Sequence, residues 1–249
     1  MQGYDPVALS EKVEERVSRY RRGVLERRYW RIRSTRHYGG NVAGDVVGCN
    51  LRCAFCWAWK FSHYTDKGFY LSPLQAAEEI VRAGPYRIAR LTGGEPTIAW
   101  EHTRVLAELL VKQGYLFVLE TNGVLLGAGR IDPKEIPRKV FIRVSIKAPT
   151  PEAFHKVTGA SSDAWYYQIR ALERLVEAGF TPGMDFRASI VLGVAPKREY
   201  AELFEKLASI HPDLITTIEP EEIILYPHVE ELVKRRGLKL YHYREPPRA

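Results

Sequence analysis

Six times between residues 42 and 225 the chain alternates an apolar, strand-like run with a helix-like one, and that rhythm restricts the fold more than any other feature. Strand candidates fall at residues 42–47, 88–92, 116–120, 139–146, 186–192, and a last one at 214–218 or 223–225. Helix candidates lie between them: 74–83 behind the cap pair Ser72-Pro73, 102–113 before Gly114, 163–178 before Gly179, and 197–210 before Pro212. An earlier helix is expected from about Ser10 to Arg22, with Gly23 as its stop. Strands separated by helices of roughly 10–15 residues pair in parallel through crossovers. Six units are too few for a closed eight-fold barrel. The expected fold is therefore α/β: an open, partial (β/α)6 TIM-like barrel over residues 41–249, preceded by a basic helical extension over residues 1–40.

In such barrels the site lies at the carboxyl ends of the strands, and distinctive residues recur on that rim. Gly93-Gly94-Glu95-Pro96 follows the second candidate strand, Thr121-Asn122-Gly123 the third, and Lys147 the fourth. The first runs into Cys49-Asn50-Leu51-Arg52-Cys53-Ala54-Phe55-Cys56, which holds all three cysteines of the 249-residue chain. Four motifs on one rim make a site.

Three thiols within eight residues exclude the disulfide framework of a small secreted domain. Spaced C-x3-C-x2-C, they suit three irons of a [4Fe-4S] cluster, whose usual protein complement is four cysteines. The fourth iron is then open to a ligand that is not protein. The alternative is zinc, which takes four ligands; His63, seven residues past Cys56, offers itself as the fourth. With no other cysteine, the chain has neither a second cluster nor a thiol nucleophile elsewhere.

The net charge is +7, and residues 1–40 hold ten Lys/Arg against five Asp/Glu. Such an arm can contact nucleic acid. The plainer reading, a solvated helix whose arginines pair with Glu11, Glu14, Glu15 and Glu26, is favoured because charge runs on helices are usually surface. No run approaches the roughly 18 apolar residues of a membrane span. The first residues do not resemble a signal peptide. A cytoplasmic monomer without a membrane partner is expected.

Cys49, Cys53 and Cys56, followed by Gly93-Gly94-Glu95-Pro96, resemble the radical S-adenosylmethionine (radical SAM) superfamily over roughly residues 42–228. The resemblance implies a [4Fe-4S] cluster on the three cysteines, with the amino and carboxylate groups of S-adenosylmethionine on the open iron. It implies reductive cleavage to methionine and a 5′-deoxyadenosyl radical, which abstracts hydrogen from a substrate. Phe55 matches the aromatic near the adenine. Gly93 and Gly94 match the close backbone approach to the methionine end, and Glu95 the acid that receives the amino group. Thr121 and Asn122 belong to an acid-Thr-Asn-Gly run found in several branches.

Val144-Ser145-Ile146-Lys147 resembles the Asp-x-Lys segment of the glycyl-radical-enzyme activases, the branch of greatest local similarity, with Ser145 where those enzymes have aspartate. Lys147 then contacts the cofactor carboxylate, Ser145 offers a hydroxyl to it, and Arg187 faces that carboxylate or an acid across the barrel. Leu225-Tyr226-Pro227-His228 resembles an activase stretch whose histidine lies near the cofactor. Trp57 and Trp59 either shield the cluster, stack on a planar substrate, or pack the loop.

The substrate implied by the activase likeness is a protein or peptide glycine. RNA or a nucleobase precursor is the alternative, and a zinc-stabilised nucleic-acid-binding module is the alternative of another class. An electron donor such as ferredoxin or flavodoxin is the expected redox partner.

Overall fold

The computed structural model describes residues 2–63 and 65–246. Helix α1 (Pro6–Val17) is capped by Asp5, whose carboxylate accepts from the Val7 N–H at 2.8 Å, with Pro6 in the first turn. The helix expected to reach Arg22 ends at Val17. Strand β1 (Ser18–Arg21) follows, then β2 (Val24–Thr35), antiparallel to it with Arg21 opposite Val24. Arg22 and Gly23 take positive φ of 52° and 77°, the geometry of a two-residue hairpin turn. Gly23 therefore reverses a strand instead of stopping a helix. The basic arm is helical only in part; its second half adds antiparallel strands to the sheet.

Several arginines of the arm are tied to the fold by burial or ion pairing. Arg27 is fully buried. Arg31 and Arg33 donate to Asp45 Oδ2 at 2.5 and 3.3 Å, and Arg19 donates to Glu26 at 2.7 Å. Glu11 pairs with Arg130 instead of a neighbour in the arm.

Beyond the arm come β3 (Asn41–Val46), α2 (Trp59–His63), β4 (Phe69–Leu71), α3 (Pro73–Arg82), β5 (Ile88–Gly93), α4 (Trp100–Lys112), β6 (Leu116–Thr121) and α5 (Val124–Gly127). The chain continues through β7 (Val140–Ile146), α6 (Pro151–Thr158), α7 (Trp165–Glu177), β8 (Phe186–Val191), α8 (Lys197–Ile210), α9 (Asp213–Thr216), β9 (Glu219–Glu221) and α10 (Pro227–Arg235). Strands β3, β5, β6, β7, β8 and β9 are neighbours in that order, all parallel. With β2 and β1 added at one edge, and β4 on β2, this is the open, partial barrel expected. Residues 214–216 of the candidate strand 214–218 lie in helix α9. The sixth strand is the short Glu-Pro-Glu run between the two expected positions.

Side chains on the parallel strands divide by parity. On β7, Val140, Ile142, Val144 and Ile146 are buried in the apolar core, while Arg143 and Ser145, with Lys147 beyond the strand end, lie on the inner face of the barrel. Capping fixes the helices: Ser72 Oγ accepts from the Gln75 N–H at 3.2 Å, and Gln75 Oε1 accepts from the Ser72 N–H at 2.9 Å.

Helix α1 lies under the chain leaving β3. Gly48 has φ of 85°, and a Cβ there would stand 2.6 Å from Val13 Cγ1 and 2.9 Å from Val17 Cγ1. Gly48→Ala should cost about 1–3 kcal/mol through a left-handed backbone and an overpacked contact. Denaturant unfolding of the iron-free protein measures it, and an unchanged midpoint would contradict this packing.

Candidate active site

The loop after β3 that carries the cysteines is tied down on several sides. The Gly48 N–H donates to the Phe61 carbonyl at 3.0 Å, and the Ala54 N–H donates to Val157 of α6 at 2.9 Å. Arg52 Nη1 donates to the Cys49 carbonyl at 2.5 Å. The Leu51 N–H points at Cys49 Sγ from 3.4 Å, and Ser62 Oγ stands 3.5 Å from Cys56 Sγ. Burial pushes all three thiols up, Cys49 to about 12. Metal binding here has to draw the proton from each thiol.

The Gly-Gly-Glu-Pro segment lies against that loop through backbone. The Gly94 N–H donates to the Val46 carbonyl and the Glu95 N–H to the Gly48 carbonyl, both at 2.8 Å. A Cβ on Gly94 would sit 2.1 Å from the Gly48 oxygen, so only glycine fits. Glu95 is 2% exposed. Its Oε1 accepts from the Thr97 N–H at 3.1 Å, Thr97 Oγ1 at 2.6 Å and Thr121 Oγ1 at 2.7 Å, and its Oε2 accepts from the Asn122 N–H at 2.8 Å. Asn122 Nδ2 then donates to Asn50 Oδ1 at 2.8 Å, reaching the cysteine loop. Cys49, Glu95, Thr121 and Asn122, singled out on separate motifs, thus meet in one place.

On the far side of the rim, Lys147 Nζ donates to Ser145 Oγ at 2.5 Å, and Ser145 Oγ donates to Glu221 Oε2 at 2.6 Å. Ser189 Oγ also donates to Glu221 at 3.2 Å, with Lys147 Nζ 3.9 Å and Arg143 Nη1 3.5 Å away. Burial opposes the charges on both Lys147 and Glu221. Their mutual attraction outweighs it, holding Lys147 above its ordinary value and, with Arg143, pulling Glu221 down to about 2. Glu221 was not expected: its three-residue strand has no apolar alternation to announce it. It supplies beside Ser145 the carboxylate that Ser145 lacks.

Other expected residues fall elsewhere. Arg187 is exposed at the amino-terminal half of β8, level with Arg143, and its guanidinium lies 5.7 Å from the Phe141 ring centre. It stands two residues of register below Ser145 and Ser189. His228 reaches the loop differently: its Nε2 meets the Trp57 carbonyl at 3.0 Å, with Tyr226 stacked on the ring. Phe55 is buried in the loop. Trp57 sits edge-on to Phe61, and Trp59 stacks on His63 at 3.6 Å between ring centres. His63 shares a 2.8 Å hydrogen bond with Ser62 Oγ, and burial pushes it down to about 3.

The donor set fits an iron–sulfur cluster. Three thiols share one loop, and the buried Asn50 amide nitrogen beside Cys49 has no partner within the protein, a donor of the kind cluster sulfur accepts.

The model of the radical SAM superfamily matches residues 45–209. The chain belongs to that superfamily. It is a radical SAM enzyme, of a family that works with a [4Fe-4S] cluster and S-adenosylmethionine; this sets aside the zinc module. It is 28% identical over 234 residues to the 7-carboxy-7-deazaguanine synthase of Halobacterium salinarum, covering 84% of this chain and 83% of that one. The corresponding synthase of Hyperthermus butylicus is 34% identical over 108 residues, 38% of this chain and 44% of the relative. The GTP 3',8-cyclase of Haemophilus influenzae is 27% identical over 136 residues, 53% and 39% of the two chains. For these last two, the match spans less than half the relative's length. A radical SAM methyltransferase from Sphaerobacter thermophilus shares the fold, with a TM-score of 0.51 at 15% identity over 92% of this chain and 76% of that one. These similarities lie with a synthase and a cyclase rather than with the activases that Val144–Lys147 resembles, and they give the glycine substrate no support.

The Glu221 carboxylate should leave a pH signature. Its folded value lies below the ordinary 4.5, so its stabilisation is complete above about pH 4.5 and is lost as pH falls toward about 2. Glu221→Gln should lower the thermal midpoint at neutral pH and flatten the acid limb in that window. A variant whose midpoint falls in parallel with the wild type would contradict the network.

Proposed function

We propose that this radical SAM enzyme acts on a small purine-derived nucleobase precursor held within the barrel. The observation that carries this reading is the inner face below the rim. Arg90 donates to Glu120 at 2.8 Å, Arg143 donates to Glu219 at 2.9 Å, and the Tyr38 hydroxyl donates to Glu120 at 3.0 Å. With Ser145, Lys147 and Glu221 above them, these groups offer donors and acceptors in alternation. A heterocycle carrying both kinds of group on its ring answers such a wall. The similarity to a deazaguanine synthase over most of both chains, and to a GTP cyclase, supports the same class.

Within this reading, Cys49, Cys53 and Cys56 hold the cluster. Glu95, kept in place by Thr97, Thr121 and Asn122, accepts from the amino group of S-adenosylmethionine through its less occupied Oε2. Gly93 and Gly94 bring backbone close to the methionine end. Lys147 offers its ammonium to the carboxylate, with Ser145 and Glu221 fixing where Nζ points, and Phe55 and His228 border the nucleoside end. When bound, the pair supplies a 5′-deoxyadenosyl radical that takes one hydrogen atom from the substrate. The protein's part is to orient both molecules and keep water away.

Among the described residues no helix is long and apolar enough to cross a membrane. The reduced thiols fit the cytoplasm, where a ferredoxin or flavodoxin supplies the electron.

Anaerobically reconstituted enzyme, given S-adenosylmethionine and fractions of a deuterated cell extract, distinguishes the substrate classes. Deuterium should enter 5′-deoxyadenosine from the small-molecule fraction and follow its nucleobase components. Transfer only from the protein or the RNA fraction would overturn the reading.

A further inference from the structure

Arg27 lies on the same face of β2 as Leu25 and Tyr29, and all three are buried. Its guanidinium is wholly removed from water, yet little of it is used within the protein. Nη2 donates to the Glu95 carbonyl at 3.3 Å, while Nε and Nη1 have no partner. Among the described residues no carboxylate forms a salt bridge with it. Arg90 and Arg143, on the inner face of the barrel, each hold a carboxylate, at 2.8 and 2.9 Å.

A buried cation with no anion in contact is costly, and protein interiors rarely keep one. Burial pushes Arg27 down to about 10, which leaves it charged at neutral pH. Tyr29, Glu14, Glu95 and Cys49 counter that push from a distance. Burial itself holds Glu14 above the ordinary carboxylate range, and Glu95 already accepts four hydrogen bonds from other donors. Neither is the contact anion that a guanidinium fork calls for.

The position of Arg27 names the anion that answers it. Glu95, which takes the Nη2 bond, also donates its N–H to the Gly48 carbonyl at 2.8 Å, and Gly48 precedes Cys49. Arg27 therefore stands behind the junction of the Gly-Gly-Glu-Pro segment with the cysteine loop. A [4Fe-4S] core on three thiolates is a net anion, and reduction adds a further negative charge.

We propose that the Arg27 guanidinium is a built-in countercharge for the cluster, a positioning residue that raises its reduction potential and fixes the Glu95 carbonyl beside Gly48. It acts through its charge and through the Glu95 backbone, without touching iron. A nearby cation favours the reduced cluster over the oxidised one, so its removal lowers the potential. In the iron-free protein the same charge has no contact anion, and an apolar replacement there is neutral or stabilising. The two effects together separate a countercharge from a structural arginine, whose loss only destabilises. The proposal rests on superfamily membership and not on the substrate reading, so either can fail alone.

The test is an EPR-monitored redox titration of the anaerobically reconstituted enzyme, without S-adenosylmethionine or substrate, beside denaturant unfolding of the iron-free protein. R27M should shift the reduction equilibrium about tenfold toward the oxidised cluster, a fall of about 59 mV for one electron. R27K keeps the charge and loses the planar fork, and should stay within about threefold of wild type. Y29F removes a buried hydroxyl from the same face of β2 and leaves every charge in place, so its potential should match the wild type. Iron-free R27M should unfold at a denaturant midpoint no lower than that of the wild type.

R27M at the wild-type potential would overturn the proposal. An equal fall in Y29F or R27K would do the same, by tracing the effect to packing rather than charge. So would an iron-free R27M midpoint well below the wild type, the mark of a structural residue. Where R27M takes up no cluster, R27K decides: uptake of iron and sulfide to the wild-type level supports the countercharge, and a lysine variant equally empty ends the proposal.

Discussion

One buried carboxylate ties this structure together. Glu95 is almost wholly removed from water, and an unpaired charge so placed would cost several kcal/mol. Four hydrogen bonds meet that cost, two from Thr97 and two from the end of β6. Because Glu95 follows β5 and two of its donors lie at the end of β6, the carboxylate sets how the ends of β5 and β6 stand to each other. Asn122 passes the constraint to Asn50 and so to the cysteine loop, while the Gly48 carbonyl receives the Glu95 N–H. The rim residues are thus hydrogen-bonded to one another without a cofactor, the preorganisation that a site handling a reactive radical requires.

A second principle governs the barrel's two faces. Outward side chains of the parallel strands build an apolar core beneath the helices, and inward ones are charged and paired. Arg90 with Glu120, Arg143 with Glu219, and Lys147 with Glu221 each place a cation beside an anion within a wall that excludes much of the water. Replacing such pairs by apolar residues of similar size is often neutral or stabilising. Their presence here fits the polar lumen that the proposed nucleobase substrate requires.

Where the signal is local, the sequence was enough: the cysteine spacing and the Gly-Gly-Glu-Pro run name the superfamily, and the strand–helix rhythm names the barrel. The helix over residues 197–210 and the capped start of α3 follow from local rules and appear where expected. What escaped depends on distant pairing. Ser18–Arg21 has no alternation to mark it as a strand and becomes one by pairing with β2, and the Arg22–Gly23 turn reads equally well as a helix stop. Glu221 sits in a three-residue strand containing proline, and its importance comes wholly from Ser145, Lys147 and Ser189 on other strands. Arg187 stands level with Arg143 on the neighbouring strand, a depth that only the strand register reveals.

The central claim is that three cysteines leave one iron free and that S-adenosylmethionine takes it. Electron–nuclear double resonance on the reduced, anaerobically reconstituted protein tests this directly, using cofactor labelled with ¹⁵N in the amino group and ¹⁷O in the carboxylate. Hyperfine coupling of both labels to the cluster is the predicted result. A cluster signal unchanged by the cofactor and free of either coupling would contradict it.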